Sequence, residues 1–249
     1  MGVSGIGAGS PYEALSSGYQ INRAADDASG LAISEKLTTQ TNGFDVGANN
    51  AEDGISMMNI ADGALSGIQD SLQRIRELAV KASNGLYTAE DRSYIQSEID
   101  GLKKSIQETA QGTTFNTMKL LDGSMADVGL ATNPSGSGQS IQMVNSTLES
   151  LGIADFDVTG KFNLEDIDKA MEKVSEARGS MGAQTNALEH TISYNKNASY
   201  NLTAANSRIK DADMAEQIIN KNREEALEKY RVFGVKAQMN ADAGILRLF

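Results

Sequence analysis

The chain has no cysteine, no tryptophan, two prolines and a 5% share of aromatic residues. Without thiols there is no disulfide, no thiolate nucleophile and no zinc–sulfur site. With so few aromatics, the core must be built from Ala, Leu, Ile, Val and Met. Small side chains suit close contact between helices over a long seam more than a thick central core. Pro11 and Pro134 leave long tracts free of helix breakers. Basic residues are outnumbered, 22 against 33 acidic, for a net charge of −11. That balance argues against a nucleic-acid partner, which would ask for a basic face. No apolar run reaches the roughly 18 residues of a membrane span. The opening MGVSGIGAGSPY carries neither a basic region nor an apolar one, so it does not read as an ordinary signal peptide.

Heptad spacing dominates what is present. Ala51, Met58, Leu65, Leu72 and Ala79 form one seven-residue column, and Ala61, Ile68 and Ile75 form another. Together they read as the a and d positions of a coiled-coil seam. Thr88 and Asp91 form a capping box that opens a second helix, with its apolar stripe at Ile95, Ile99, Leu102 and Ile106. Asn84-Gly85 marks the stop between the two helices. Near the C-terminus, Ile167, Val174, Met181, Leu188, Asn195, Leu202 and Ile209 repeat at seven. Their companion column, Ala170, Ala177, Gln184, Thr191, Ala198, Ala205 and Ala212, is small or polar throughout. It predicts close helix–helix approach, with Asn195 fixing the register. A helix over 164–211 would span about 70 Å.

The fold expected is mainly α: an elongated antiparallel coiled-coil rod with a small β-hairpin region at one end. Its segments are a flexible N-terminal stretch (1–23), N-terminal rod helices (24–111), a hairpin and loop region (112–163), a C-terminal rod helix (164–212) and a terminal helix (213–249). The hairpin is placed over 126–147, where two β-prone runs flank a Pro/Ser/Gly turn.

Three stretches resemble one known family. SSGYQINRAADDASGLAI (16–33) is similar to the N-terminal signature of bacterial flagellins. NAEDGISMMNIADGALSGIQDSLQRIRELAVKASNG (50–85) is similar to the helix that follows it there, and SRIKDADMAE (207–216) to the C-terminal signature. The resemblance implies a self-assembling structural subunit of the flagellar filament, serving motility and not catalysis. It implies export through the flagellar channel without a cleaved signal peptide. It also implies other flagellin subunits, an export chaperone, and filament cap and junction proteins as partners. The family's outer domain is reduced here to the short hairpin region. Two segments depart from the family pattern: the N-terminus is short and Gly-rich, and the C-terminus is unusually charged. They leave two alternatives, a hook–filament junction protein and a flagellin-like binding protein that does not polymerise. The resemblance also implies that Arg74, Leu78 and Glu98 meet the vertebrate Toll-like receptor for flagellin. Without it, the arginines and Glu77 of this stretch read as solvent-facing or subunit-facing helix residues.

Other patterns are weaker. DFDVTGKFNLED (155–166) imitates a calcium loop, but a turn leading into a helix capped by Asn163 explains it better. GIGAG (5–9) lacks the preceding strand of a dinucleotide site. His190 is the only histidine, and Asn145, Asn197 and Asn201 match glycan-acceptor triplets. No cofactor, metal or catalytic cluster is expected.

Overall fold

A computed structural model describes residues 11–245, with side chains as far as 239. The GIGAG loop lies outside these residues, as do the first ten residues of the segment expected to be flexible. Helices α1 (Pro11–Ser17), α2 (Ala28–Ala82) and α3 (Ala89–Gly112) come first. Two strand pairs follow, β1 (Thr114–Phe115) with β2 (Met118–Lys119), and β3 (Asp127–Leu130) with β4 (Gln139–Gln142). The short α4 (Leu148–Leu151) and the long α5 (Leu164–Lys210) and α6 (Met214–Ile245) complete the chain. The fold is mainly α, as the heptads predict. Its contacts gather into two compact units, Met1–Asn42 with Ala198–Phe249, and Gly43–Asn197.

In the unit 43–197, both α2 columns are buried from Ala51 to Ala79, and so are Ile167, Val174, Met181 and Leu188 of α5. Ion pairs across the seam give the direction. Glu52 meets Lys196, Asp62 meets Arg178, and Arg76 meets Asp168. Partner numbers rise on one helix as they fall on the other, so α2 and α5 run antiparallel. Each exposed pair contributes about 0–1 kcal/mol. The apolar seam therefore carries the stability, and the pairs favour one register. Thr88 caps α3 as expected: its side chain accepts from the Asp91 N–H, and Asp91 bonds the Thr88 backbone in return. Ile95, Ile99 and Ile106 turn inward.

In the companion column Ala170 and Ala177 are buried in the core, but the hairpin corrects the expectation of a helix neighbour for its polar members. Gln184 Oε1 accepts from the Gln142 N–H at 2.9 Å, and Thr191 Oγ1 accepts from Gln139 Nε2 at 2.9 Å. The polar members of that column thus bond β4. Asn195 holds the turn that follows β3, donating from Nδ2 to the Thr132 carbonyl at 2.8 Å. Asn50 does the same from α2, reaching the Ala131 carbonyl at 2.7 Å. Gly47 makes this approach possible, because a Cβ there would collide with the Thr132 carbonyl. Between β1 and β2, Asn116 and Thr117 both adopt positive φ, at 45° and 68°. This is a primed turn without the glycine that normally announces one.

Candidate functional site

In the unit formed by residues 1–42 and 198–249, the two signature stretches bind one another. Tyr19 and Asp211 form an isolated antiparallel bridge. The Gln20 N–H donates to the Lys210 carbonyl at 2.8 Å, and the Ala212 N–H donates to the Gly18 carbonyl at 2.9 Å. The Gln20 side chain adds a bond to the Ile209 carbonyl at 2.7 Å. Each signature interrupts a helix and exposes backbone groups that need partners. Here each interruption supplies the other's partners.

The adjacent acids Asp26 and Asp27 divide the work between them. Asp27 is the N-cap of α2, its Oδ1 accepting from the Ser29 and Gly30 N–H groups. Asp26 closes the turn before it, its Oδ2 accepting from the Asn22 and Arg23 N–H groups. Gly30 leaves room for Ile21, whose Cδ1 would lie 2.7 Å from a Cβ placed there. Ile21 is itself buried.

The expectation of a flexible stretch over 1–23 does not hold from Pro11 to Ser17, which form α1. This helix packs on α6. Tyr12 lies 5.5 Å from Lys221 Nζ across its ring face, and its hydroxyl donates to Glu225 Oε1 at 3.2 Å. Those contacts supply the order that a short helix lacks by itself. Along α6, by contrast, Ile218, Ile219, Leu227, Tyr230, Val232, Phe233, Val235 and Met239 are all exposed, Tyr230 at 76% and Phe233 at 73%. At 100° per residue these side chains point in several directions, the pattern of a helix built to be covered on more than one face.

The predicted contact residues separate. Arg74 bonds Glu98 through Nε and a terminal nitrogen, at 3.0 and 2.8 Å, and Glu77 at 3.1 Å. These bonds, Glu98's first, raise its already high pKa further. Arg74 and Glu98 are about half exposed. Leu78 does not share that exposure; it lies in the core at 3%. In the heptad set, Met58, Leu65 and Leu72 are buried, as are the α5 members as far as Leu188, whereas Leu202 and Ile209 are only half-buried.

The 155–166 stretch behaves as a turn. Asp157 Oδ1 accepts from both the N–H and the hydroxyl of Thr159 at 2.7 Å, which holds the carboxyl below its usual pKa. Asn163 Oδ1 caps α5 by accepting from the Glu165 N–H. Phe156 and Phe162 pack edge to face at 5.9 Å. Among the described residues no three His, Asp or Glu side chains gather as a metal-holding group. His190 is exposed, Asn145 turns its Oδ1 to Thr147, and Asn197 and Asn201 lie within α5.

Comparison with known proteins agrees with this architecture. A family model for the bacterial flagellin N-terminal helical region matches residues 10–126, and one for the C-terminal helical region matches 164–248. A flagellin of Halalkalibacterium halodurans is 41% identical, over 87% of this chain and 82% of that protein. The chain belongs to the bacterial flagellin family. As a flagellin it is a structural filament protein of the flagellum and not an enzyme. The charged C-terminal tail falls inside the matched region. A Treponema phagedenis flagellar filament core protein is 37% identical over 86% of this chain and 82% of its own length. The crystal structure of Bacillus cereus flagellin superposes with a TM-score of 0.53 at 27% identity, covering 59% of this chain and 88% of that one. A putative hook-associated protein from Vibrio parahaemolyticus shares the fold, with a TM-score of 0.63 at 14% identity over 75% of this chain. No helix among the described residues is long and apolar enough to cross a membrane.

Proposed function

We propose that this flagellin assembles through the exposed apolar side chains of α6, with α1 seated on the same helix, to build an extracellular filament. The observation that carries the proposal is the exposure of Leu227, Tyr230 and Phe233 together. Left in water, such a surface favours association by about 25 cal/mol for each Å² covered. The paired signatures at 18–20 and 209–212 hold the bases of α1 and α6 together.

The same reading includes export through the flagellar channel without a cleaved signal peptide. Its further partners are an export chaperone and the filament's cap and junction proteins. The exposed Arg74–Glu98 pair is the proposed contact for a neighbouring subunit or for a Toll-like receptor. Leu78, buried in the isolated chain, would support that contact from beneath.

Salt-induced assembly followed by sedimentation and negative-stain microscopy tests the proposal. The wild type is expected to form filaments. A Tyr230→Asp, Phe233→Asp variant is expected to stay in the supernatant with unchanged helicity and an unchanged melting temperature. Equal assembly by that variant would refute the role given to α6. A junction protein would instead occur in few copies in isolated flagella.

A further inference from the structure

Two Asn–Gly pairs occur in the sequence, Asn42-Gly43 and Asn84-Gly85. Both asparagines are exposed, but their backbones differ. Asn42-Gly43 lies inside α2, where the Gly43 amide belongs to the helix's hydrogen-bond ladder. Asn84-Gly85 lies in the connection between α2 and α3. No bond from the Gly85 N–H appears among the described residues. The Leu86 N–H donates to Asn84 Oδ1 at 3.0 Å. That bond polarises the side-chain carbonyl and ties it to the amide two residues on.

We propose that Asn84 is a site of self-catalysed deamidation. The Gly85 amide nitrogen gives up its proton and bonds to Asn84 Cγ. The Cγ–Nδ2 bond breaks, and Nδ2 takes up that proton and leaves as ammonia. Water then opens the cyclic imide at either carbonyl, giving aspartate or isoaspartate at position 84. The Leu86 N–H faces the oxygen on which negative charge develops. The aspartate product keeps an acceptor for Leu86 but adds a negative charge just beyond the C-terminus of α2, where the helix dipole disfavours it. The isoaspartate product inserts a methylene into the backbone leading to the Thr88 cap.

Gly85 supplies a clean control. A Cβ there meets nothing within 4 Å, and its φ lies outside the left-handed region. Gly85→Ala therefore crowds the attacking nitrogen without disturbing the packing.

The full-length protein would be incubated in mildly alkaline buffer, folded and in urea, and its tryptic peptides followed by mass and by an isoaspartate assay. In the folded protein, the Asn84 peptide is expected to gain one mass unit at least about 10-fold faster than the Asn42 peptide. In urea the two rates are expected to converge. Gly85→Ala should slow the Asn84 reaction by a similar factor in the folded state. Equal rates at Asn42 and Asn84 in the folded protein would overturn the proposal. So would an Asn84 amide that survives folding conditions for as long as the urea sample takes to convert.

Discussion

Asn195 occupies an a-like position in the α5 heptad, yet it is fully buried and its Nδ2 bonds the Thr132 carbonyl at 2.8 Å. Asn195→Ala would strand that carbonyl, and we expect a loss of about 1–3 kcal/mol by denaturant unfolding. Asp27→Ala removes the α2 cap, with an expected cost of about 1 kcal/mol in the same measurement. Acid should act through Asp91, whose carboxylate is held below its usual pKa, first by the Thr88 hydroxyl and then by the Thr88 N–H. A lowered folded-state pKa gives stability that is full above the unfolded carboxylate's pKa. It is lost as the pH falls through the folded value. Thermal melts across the acid range should show this decline, and Asp91→Asn should flatten it. The capping box and the apolar columns were legible in the sequence because each depends on spacing along one helix. The division between Asp26 and Asp27 was not legible, since either of two adjacent acids ahead of a helix suits its N-terminus and only Asp27 caps.

At the scale of elements, the hairpin lies within the predicted 126–147, and what heptad reasoning misread is the neighbour of the polar companion residues on α5. A column of Ala, Gln and Thr signals that something approaches α5 closely, but not whether that neighbour is a helix or a strand. Gln184 and Thr191 turn out to bond β4. Gly47 on α2 and Asn195 on α5 meet at the turn that follows β3. Gly47→Ala should displace that turn and cost about 1–3 kcal/mol, even though alanine favours helix more than glycine does. A melting temperature raised by this substitution would contradict the close approach. Leu65→Ala, in the apolar seam, should cost about 2–5 kcal/mol. The β1–β2 turn was missed for a different reason. Its positive-φ positions are Asn116 and Thr117, a pair that carries no glycine signal.

In the whole molecule, a unit that buries its own core, 43–197, contrasts with a helix that leaves large apolar side chains in water. Residues 43–197 bury a continuous apolar cluster from Ala51 to Leu188. Beyond its contacts with α1, α6 leaves Tyr230, Phe233 and Met239 in water. An isolated helix gains little by itself, so α6 amides should exchange quickly in the monomer and slowly once copies surround them. The family was legible from the two signatures, whereas their mutual bonding across 18–20 and 209–212 was not, because no local pattern reports a pairing between distant segments. Hydrogen exchange on monomer and on sedimented filament, read by mass at peptides from α6, tests whether assembly covers this helix. Strong protection of 218–239 on assembly, with little change at the already buried 58–75 seam, is the predicted result. Filaments in which 218–239 exchange as fast as in the monomer would contradict it.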